Sequence, residues 1–278
     1  MNIRGISPAA APVASASPEP APPAASLPAV AARSLSHGFG ELEVLADVSF
    51  DVSAGEVVAI VGPSGCGKST LLELIGGLAE AGGGEISVGG EREAAGRLKR
   101  CTWMPQRDLL LPWRRAVDNA ALGLRISGAS RGRARADAET MLARLGLGAF
   151  ARSYPGQLSG GMRQRVAFAR TLLAGKPVLL LDEPLAALDA ITRADLQEWL
   201  ADTVRDERRT TVLVTHDVEE ALYVADRVLL LSPRPATIVW EAASPVARDL
   251  PRAAAISEPA FVAARADALG ALARASGR

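Results

Sequence analysis

Short apolar runs alternate along the chain with segments in which apolar side chains recur at helical spacing. The runs are residues 57–61, 178–181, 212–214 and 228–231, and continuous apolar runs of this length are typical of strands covered on both faces of a parallel sheet. Residues 196–204 and 218–225 follow such runs and carry apolar side chains at helical spacing. This order predicts an α/β fold with an open parallel sheet at its centre.

Two regions depart from this alternation. Residues 48–52 alternate apolar with polar positions before a turn at residues 54 and 55, which predicts a half-buried antiparallel strand. Residues 108–156 lack strand-like runs and include a helical segment at 137–146, so we expect a helical subdomain inserted into the α/β order. The four arginines of residues 125–135 indicate a solvated helix face, with a lipid or nucleic-acid patch as the alternative.

The two ends of the chain lie outside the predicted domain. Residues 1–30 hold seven of the 18 prolines, so we expect a disordered Pro/Ala-rich leader with no apolar core of a signal peptide; a proline-rich docking motif is the alternative. We expect one domain at 31–245, with a helical subdomain at about 107–170, followed by a tail at 246–278 that forms a surface helix. These boundaries use the motifs described below.

Composition narrows the function classes. The chain has 31 basic residues (Lys and Arg) and 31 acidic residues (Asp and Glu), so its formal net charge is zero. A neutral chain is not a strongly basic nucleic-acid binder, and we expect no nucleic-acid partner. Hydrophobic residues make up 49%, but no window approaches the ~18–20 consecutive apolar residues of a membrane span. Two cysteines form neither a disulfide framework nor a zinc site, so a reducing, cytoplasmic setting is expected.

The strongest motif lies between the apolar run 57–61 and a helical run at 71–78. A glycine-rich loop leads there into Lys68 and Ser69, which is the pattern of a phosphate-binding loop. Its glycines let backbone N–H groups approach phosphates, Lys68 would reach the β/γ-phosphates, and Ser69 would offer a hydroxyl to Mg²⁺. The predicted nucleotide-binding residues of this loop are Gly62, Pro63, Ser64, Gly65, Cys66, Gly67, Lys68, Ser69 and Thr70.

Two adjacent carboxylates follow the run 178–181. Open α/β sheets place ligands at the carboxyl ends of their strands, and successive side chains there point in different directions. Asp182 is therefore predicted to hold Mg²⁺, and Glu183 to face the attacking water. By itself such a pair is often a helix start, but beside a phosphate-binding loop it predicts a nucleotide hydrolase.

A third motif, Leu158-Ser-Gly-Gly-Met162, distinguishes among nucleotide hydrolases. Ser159 is a good N-cap for a helix, whereas Gly160 and Gly161 behind it expose backbone N–H groups to an anion from outside the subunit. With the two nucleotide motifs, this segment resembles the signature of the ATP-binding subunits of ABC transporters, and the resemblance extends over about residues 32–245.

The resemblance implies a P-loop NTPase fold with a RecA-like core, an antiparallel β subdomain and a helical subdomain. It implies ATP hydrolysis with Mg²⁺ at a site shared by two copies arranged head to tail, each phosphate loop facing the partner copy's Ser159, Gly160 and Gly161. Gln106 matches the glutamine that senses Mg²⁺ and water, and His216 matches the histidine that contacts the γ-phosphate. Asp189 resembles the D-loop aspartate, and Phe39 the aromatic that stacks on adenine, with neighbouring His37 expected as a solvated loop residue.

The apolar loop after Gln106 indicates a surface that could contact a partner protein. Its leucines could begin a buried helix, but Trp113 favours an exposed surface that needs a partner. In the family, the region Gln106 to Trp113 receives an integral membrane permease, and a periplasmic or lipid-anchored solute-binding protein delivers the solute. The subunit would then lie at the cytoplasmic face of the inner membrane.

The sequence of this loop resembles that of one branch of importers, which carry nitrate, alkanesulfonates, taurine, bicarbonate or the thiamine pyrimidine precursor. The segment Asp249-Leu-Pro-Arg252 is similar to the C-terminal ending of the same branch. The alternative is an ABC ATPase acting on a macromolecule in repair or iron–sulfur assembly, without a permease. An export ATPase is a further alternative that the loop disfavours.

Overall fold

The computed structural model describes residues 27–185, 190–246 and 250–277. The predicted leader therefore lies almost wholly outside the described residues, as do Asp189 and Asp249. Within the described part, no helix is long and apolar enough to cross a membrane.

A six-stranded sheet forms the centre of the molecule. Its order is β5 (Cys101–Met104), β6 (Val178–Asp182), β7 (Thr210–Thr215), β3 (Val57–Val61), β8 (Arg227–Leu231) and β9 (Ile238–Ala243). The first five strands are parallel and β9 pairs antiparallel with β8. All four predicted apolar runs are strands of this sheet, whereas β5 and β9 were not predicted.

Both faces of this sheet are buried, as the apolar runs predicted. Alternate residues of β3 contribute to two separate apolar clusters: Val57, Ala59 and Val61 to one, Val58 and Ile60 to the other. The second cluster contains α1 (Lys68–Gly76), and the first contains most of the other helices.

A three-stranded antiparallel sheet covers α1 on one side. It is ordered β2 (Leu42–Val52), β1 (Val30–Phe39), β4 (Gly83–Val88). The predicted antiparallel strand at 48–52 is the end of β2, while β1 and β4 were not predicted. His37 belongs to β1 rather than to a loop, because its backbone pairs with Leu45; the loop interpretation of this residue was wrong.

The inserted region is helical, as predicted. After α2 (Ala94–Arg100), it comprises α3 (Ala116–Ala120), α4 (Leu122–Ile126), α5 (Arg131–Arg144) and α6 (Gly160–Leu173). Three of the four arginines singled out at 125–135 lie on α5, which begins six residues before the predicted helix. Ser159 caps α6, because its Oγ accepts a hydrogen bond from Met162 N at 3.2 Å.

The remaining helices follow the sheet strands and cover them. These are α7 (Ala190–Asp206), α8 (Val218–Val224), α9 (Arg252–Ala255) and α10 (Pro259–Ala275). The predicted C-terminal helix is present as α10, but it is more than a surface helix. Phe261 is fully buried against the main core, and Trp240 Nε1 of β9 donates to Asp267 Oδ2 at 2.9 Å.

Candidate functional site

The glycine-rich loop joins β3 to α1, as its sequence predicted. Gly65 and Gly67 have φ values of 76° and 118°, a region that other residues rarely adopt. A Cβ on Gly67 would lie 2.6 Å from Cγ1 of Val44, so a larger residue there would clash with β2. The backbone of this loop therefore depends on its glycines.

Lys68 lies inside the loop. It is only 5% exposed, and its Nζ donates to the carbonyl oxygens of Gly62 and Pro63 at 3.0 Å each. Ser69 follows it in the first turn of α1 and, like Lys68, lines the adjoining cleft. These contacts hold the ammonium inside the glycine-rich loop, at the N-terminal end of α1, and a helix N-terminus that follows such a loop favours an anion.

Asp182 and Glu183 stand at the carboxyl end of β6. Asp182 is 3% exposed and its Oδ1 has no hydrogen-bond partner. Burial raises the pKa of the Asp182 carboxyl, and a hydrogen bond with Ser69 opposes that shift. A buried carboxylate oxygen without a partner, next to a hydroxyl, is a donor set that suits Mg²⁺, which binds proteins through one or two carboxylates plus nucleotide phosphates.

Glu183 is held between two further predicted residues. Gln106 donates from Nε2 to Glu183 Oε2 at 3.0 Å, and His216 Nδ1 lies 3.4 Å from Oε1. The Glu183 backbone has φ 46° and its N–H donates to Val214 O at 2.8 Å on the neighbouring strand. This left-handed conformation costs free energy at a non-glycine residue, and such strained residues cluster at functional sites.

An open cleft of about 450 Å³ brings most of the predicted residues together. Phe39 stands at one side, 58% exposed, at the end of β1 rather than in a loop. The His37 ring meets it edge-on at 5.0 Å between centroids. The lining residues are Phe39, Val44, Ser64, Gly65, Gly67, Lys68, Ser69, Thr70, Gln106, Glu183, His216 and Arg234.

Ser159, Gly160 and Gly161 are not among the residues that line this cleft in the described chain. They form the start of α6, where the backbone N–H groups of a first helical turn lack partners within their own helix. Within one copy, the signature residues therefore lie outside the cleft that the phosphate loop lines.

A network that the sequence did not reveal joins the signature helix to the segment after Gln106. Arg163 Nε donates to Asp108 Oδ2 at 2.9 Å. Arg170 donates to the carbonyls of Asp108 and Leu109 at 2.7 and 2.8 Å, and burial lowers its pKa. The arginines occur at helical spacing along α6, but nothing in the sequence indicated that they contact a loop some 60 residues away.

The loop after Gln106 is partly buried and partly exposed, so each of the two alternatives, a buried helix start and an exposed docking surface, describes some of its residues. Leu110 is buried, but Leu109 is 59% and Trp113 72% exposed. Asn119 holds the loop by accepting from Leu111 N at 2.8 Å and donating to Leu111 O at 3.2 Å. Trp113 lines a groove of about 590 Å³ together with five arginines and one carboxylate: Arg114, Arg115, Arg125, Arg131, Arg135 and Asp118.

Comparison with known proteins agrees with the geometry. Residues 45–186 match the family model described as ABC transporter. Over 221 residues, 77% of this chain and 71% of the relative, the chain is 48% identical to the aliphatic sulfonates import ATP-binding protein SsuB of Cupriavidus necator. It is 43% identical to the taurine import ATP-binding protein TauB of Yersinia pestis over 230 residues, 81% of this chain and 90% of the relative.

A solved structure shares the fold. The dimeric ATP-binding cassette MJ0796, in a post-hydrolysis state bound to ADP and Pi, superposes with a TM-score of 0.70 at 30% identity. The match covers 77% of this chain and 98% of the cassette. The phosphate loop, the paired carboxylates and these similarities lead to one conclusion: the chain is an ATPase that belongs to the ABC transporter family.

Proposed function

We propose that this chain energises an importer of small sulfonate anions, such as taurine or alkanesulfonates. The observation that carries the proposal is the position of Glu183, between Gln106 and His216 beside the phosphate loop. The names of the relatives, which are import ATP-binding proteins for aliphatic sulfonates and taurine, support the choice of solute.

Each predicted residue has a role in the proposed hydrolysis. Glu183 orients and deprotonates the attacking water, and the contacts of Gln106 and His216 with its two oxygens fix the orientation of the carboxylate for that task. His216 also contacts the γ-phosphate. The phosphate loop binds the phosphates through its backbone N–H groups and Lys68, and Phe39 stacks on the adenine.

Asp182, Ser69 and Gln106 would hold Mg²⁺. The partnerless Oδ1 of Asp182 and its contact with Ser69 suit that ion. Bound there, Mg²⁺ would neutralise charge on the β- and γ-phosphates.

A second copy completes the site in this proposal. Its Ser159, Gly160 and Gly161 would face the γ-phosphate across a head-to-tail interface. The dimeric state of the cassette MJ0796 supports this arrangement. ATP would close the pair, and hydrolysis would reopen it.

The permease would dock beside Trp113. An exposed tryptophan next to a groove with five arginines and one carboxylate suits a partner segment that presents an apolar side chain together with acidic groups. The chain would then be peripheral, at the cytoplasmic face of the inner membrane, and a periplasmic or lipid-anchored binding protein would deliver the solute.

The decisive experiment uses the chain with its cognate permease and binding protein in proteoliposomes. ATP hydrolysis should rise several-fold when the binding protein carries taurine or an alkanesulfonate, and should rise less with nitrate. A rise with nitrate alone would overturn the solute assignment. Failure to co-purify with any multispanning protein would favour the alternative of a soluble ABC ATPase that acts on a macromolecule.

A further inference from the structure

A tight turn between β8 and β9 carries Arg234 at its tip. Ser232 closes the turn in two ways: its backbone N donates to Thr237 O at 3.0 Å, and its Oγ accepts from Thr237 N at 3.0 Å. The turn therefore has a defined shape before any ligand binds.

This turn is tied to the wall of the nucleotide cleft. Ala236 is fully buried, its N donates to Val44 O at 2.8 Å, and its O accepts from Ala46 N at 3.0 Å. Val44 is the residue against which Gly67 packs. The turn, β2 and the phosphate loop thus form one packed unit, so the base of Arg234 is fixed relative to the loop.

The guanidinium of Arg234 lies beside the phosphate loop and lines the same cleft. A Cβ built on Gly65 would lie 3.0 Å from Nη2 of Arg234. Glycine at this position therefore serves two purposes, since it permits the positive φ of the loop and leaves room for the guanidinium.

Arg234 is available for a ligand. In the part of the chain that the structure describes, it has neither an ion pair nor a hydrogen bond, and its side chain is exposed. An arginine is always protonated. Of the residues that line the cleft, only Lys68 and Arg234 carry a permanent positive charge, and Lys68 is already engaged with two carbonyl oxygens.

We propose that Arg234 binds the phosphate chain of the nucleotide, closing over the side of the loop at Gly65. This inference rests on the proposed nucleotide site. A guanidinium offers a planar fork of donors that matches phosphate oxygens. Arg234 thereby adds a side-chain cation to the backbone cradle of the phosphate loop.

The test is nucleotide affinity of the purified full chain. Arg234→Ala should bind ATP and ADP about tenfold more weakly, the size of one charge-assisted hydrogen bond at an exposed site. Its affinity for adenosine, measured by competition with a fluorescent ATP analogue, should stay within about twofold of wild type. The ATP affinity of Arg234→Lys should fall between those of the wild type and Arg234→Ala, because lysine keeps the positive charge but lacks the planar fork of donors.

Controls separate this inference from the proposed site itself. Arg274→Ala removes an exposed arginine from α10 and should leave ATP affinity at the wild-type value. Loss of ATP binding in Lys68→Ala, with unchanged ATP affinity in Arg234→Ala, would overturn the role of Arg234 while leaving the nucleotide site intact. Absence of ATP binding in the wild type would overturn the proposed site.

Two further outcomes would also overturn the inference. An equal loss for adenosine and ATP would assign Arg234 to the nucleoside. Unchanged ATP affinity combined with a weaker ATP-dependent dimer in the Glu183→Gln background would assign it to the partner copy.

Discussion

The amide of Gln106 donates to the carboxylate of Glu183 at 3.0 Å, although the two residues are 77 positions apart. Gln106 follows β5 and Glu183 follows β6, and these neighbouring strands are parallel, so their carboxyl ends meet at one edge of the sheet. Gln106 also begins the segment that ends at the exposed Trp113. A displacement of that segment would therefore change the hydrogen bonding of the proposed catalytic carboxylate.

Glu183→Gln should stop turnover while ATP binding continues. The amide has nearly the shape of the carboxylate but cannot take a proton from water, so we expect ATPase activity to fall at least about a hundredfold. ATP affinity should stay within about twofold, and ATP should trap a dimer visible by light scattering. Substantial remaining phosphate release would show that another group is the base.

Lys68→Ala should abolish useful nucleotide affinity. The buried ammonium is replaced by a methyl group, so its charge-assisted bonds to phosphate are lost, and we expect ATP to bind at least about thirtyfold more weakly. Equilibrium binding of a fluorescent ATP analogue measures the change. The melting temperature without nucleotide shows whether the variant is folded. A folded variant with wild-type affinity would contradict the assignment of the phosphate loop.

Trp113→Ala should weaken assembly with the permease. The exposed indole is replaced by a methyl group, and a large aromatic at the centre of an interface contributes about 2 kcal/mol or more. Co-purification of the permease from detergent-solubilised membranes measures the effect. Val262→Ala is the matched control, since Val262 is an exposed apolar residue on α10. Equal recovery of permease with both variants would rule out this docking surface.

Much of the central sheet could be predicted because its strands are buried on both faces. Uninterrupted apolar runs such as 178–181 need no knowledge of neighbours to be recognised. β4 and β5 escaped prediction for a physical reason: β4 begins with two glycines, and β5 is only four residues long. Each forms a strand because it pairs with neighbouring strands, and the local sequence pattern does not reveal that pairing.

The same distinction holds at the site. The phosphate loop and the carboxylate pair are contiguous in sequence, so their residue types and spacing indicate their chemistry. Arg234 is different, because its place in the cleft depends on β8 pairing with β3 and on the turn bonding to β2. The two prolines that flank it indicate a turn, but they do not indicate which ligand the turn faces.

Glu220 should make stability depend on pH. It is 4% exposed on α8, and burial raises the pKa of its carboxyl from 4.5 to about 7. Thr215 Oγ1 donates to Oε2 at 2.8 Å, and the charge of Arg193 also lowers the pKa, while Asp217 and Glu183 raise it. Because the folded protein holds this proton more tightly, the contribution to stability is full below about pH 4.5 and is lost as pH rises through 7.

Glu220→Gln tests this dependence. The variant carries no charge at any pH, so relative to wild type it should gain roughly 3 kcal/mol at most between pH 5 and pH 8. Thermal melts at the two pH values measure that gain, and any packing change common to both cancels in the difference. A constant gap between variant and wild type would show that Glu220 does not titrate in this range.

Arg252 joins the C-terminal segment to the two helices that follow the catalytic strands. Its Nε donates to Gln197 Oε1 at 2.7 Å on α7, and its Nη2 donates to Glu219 Oε1 at 2.8 Å on α8. Gln197 is only 2% exposed. Truncating the arginine therefore leaves a buried amide oxygen without its donor and removes an ion pair.

Arg252→Ala should lower the free energy of unfolding by about 1–3 kcal/mol, the cost of that unsatisfied group. For a protein of this size, the melting temperature should drop by roughly 2–4 °C for each kcal/mol. Arg274→Ala, on the exposed part of α10, is the control and should melt with the wild type. Equal melting temperatures of the two variants would mean that the C-terminal segment contacts the ATPase domain without stabilising it. A lower melting temperature in Arg252→Ala alone would show that this segment belongs to the same folding unit as Glu183 and His216.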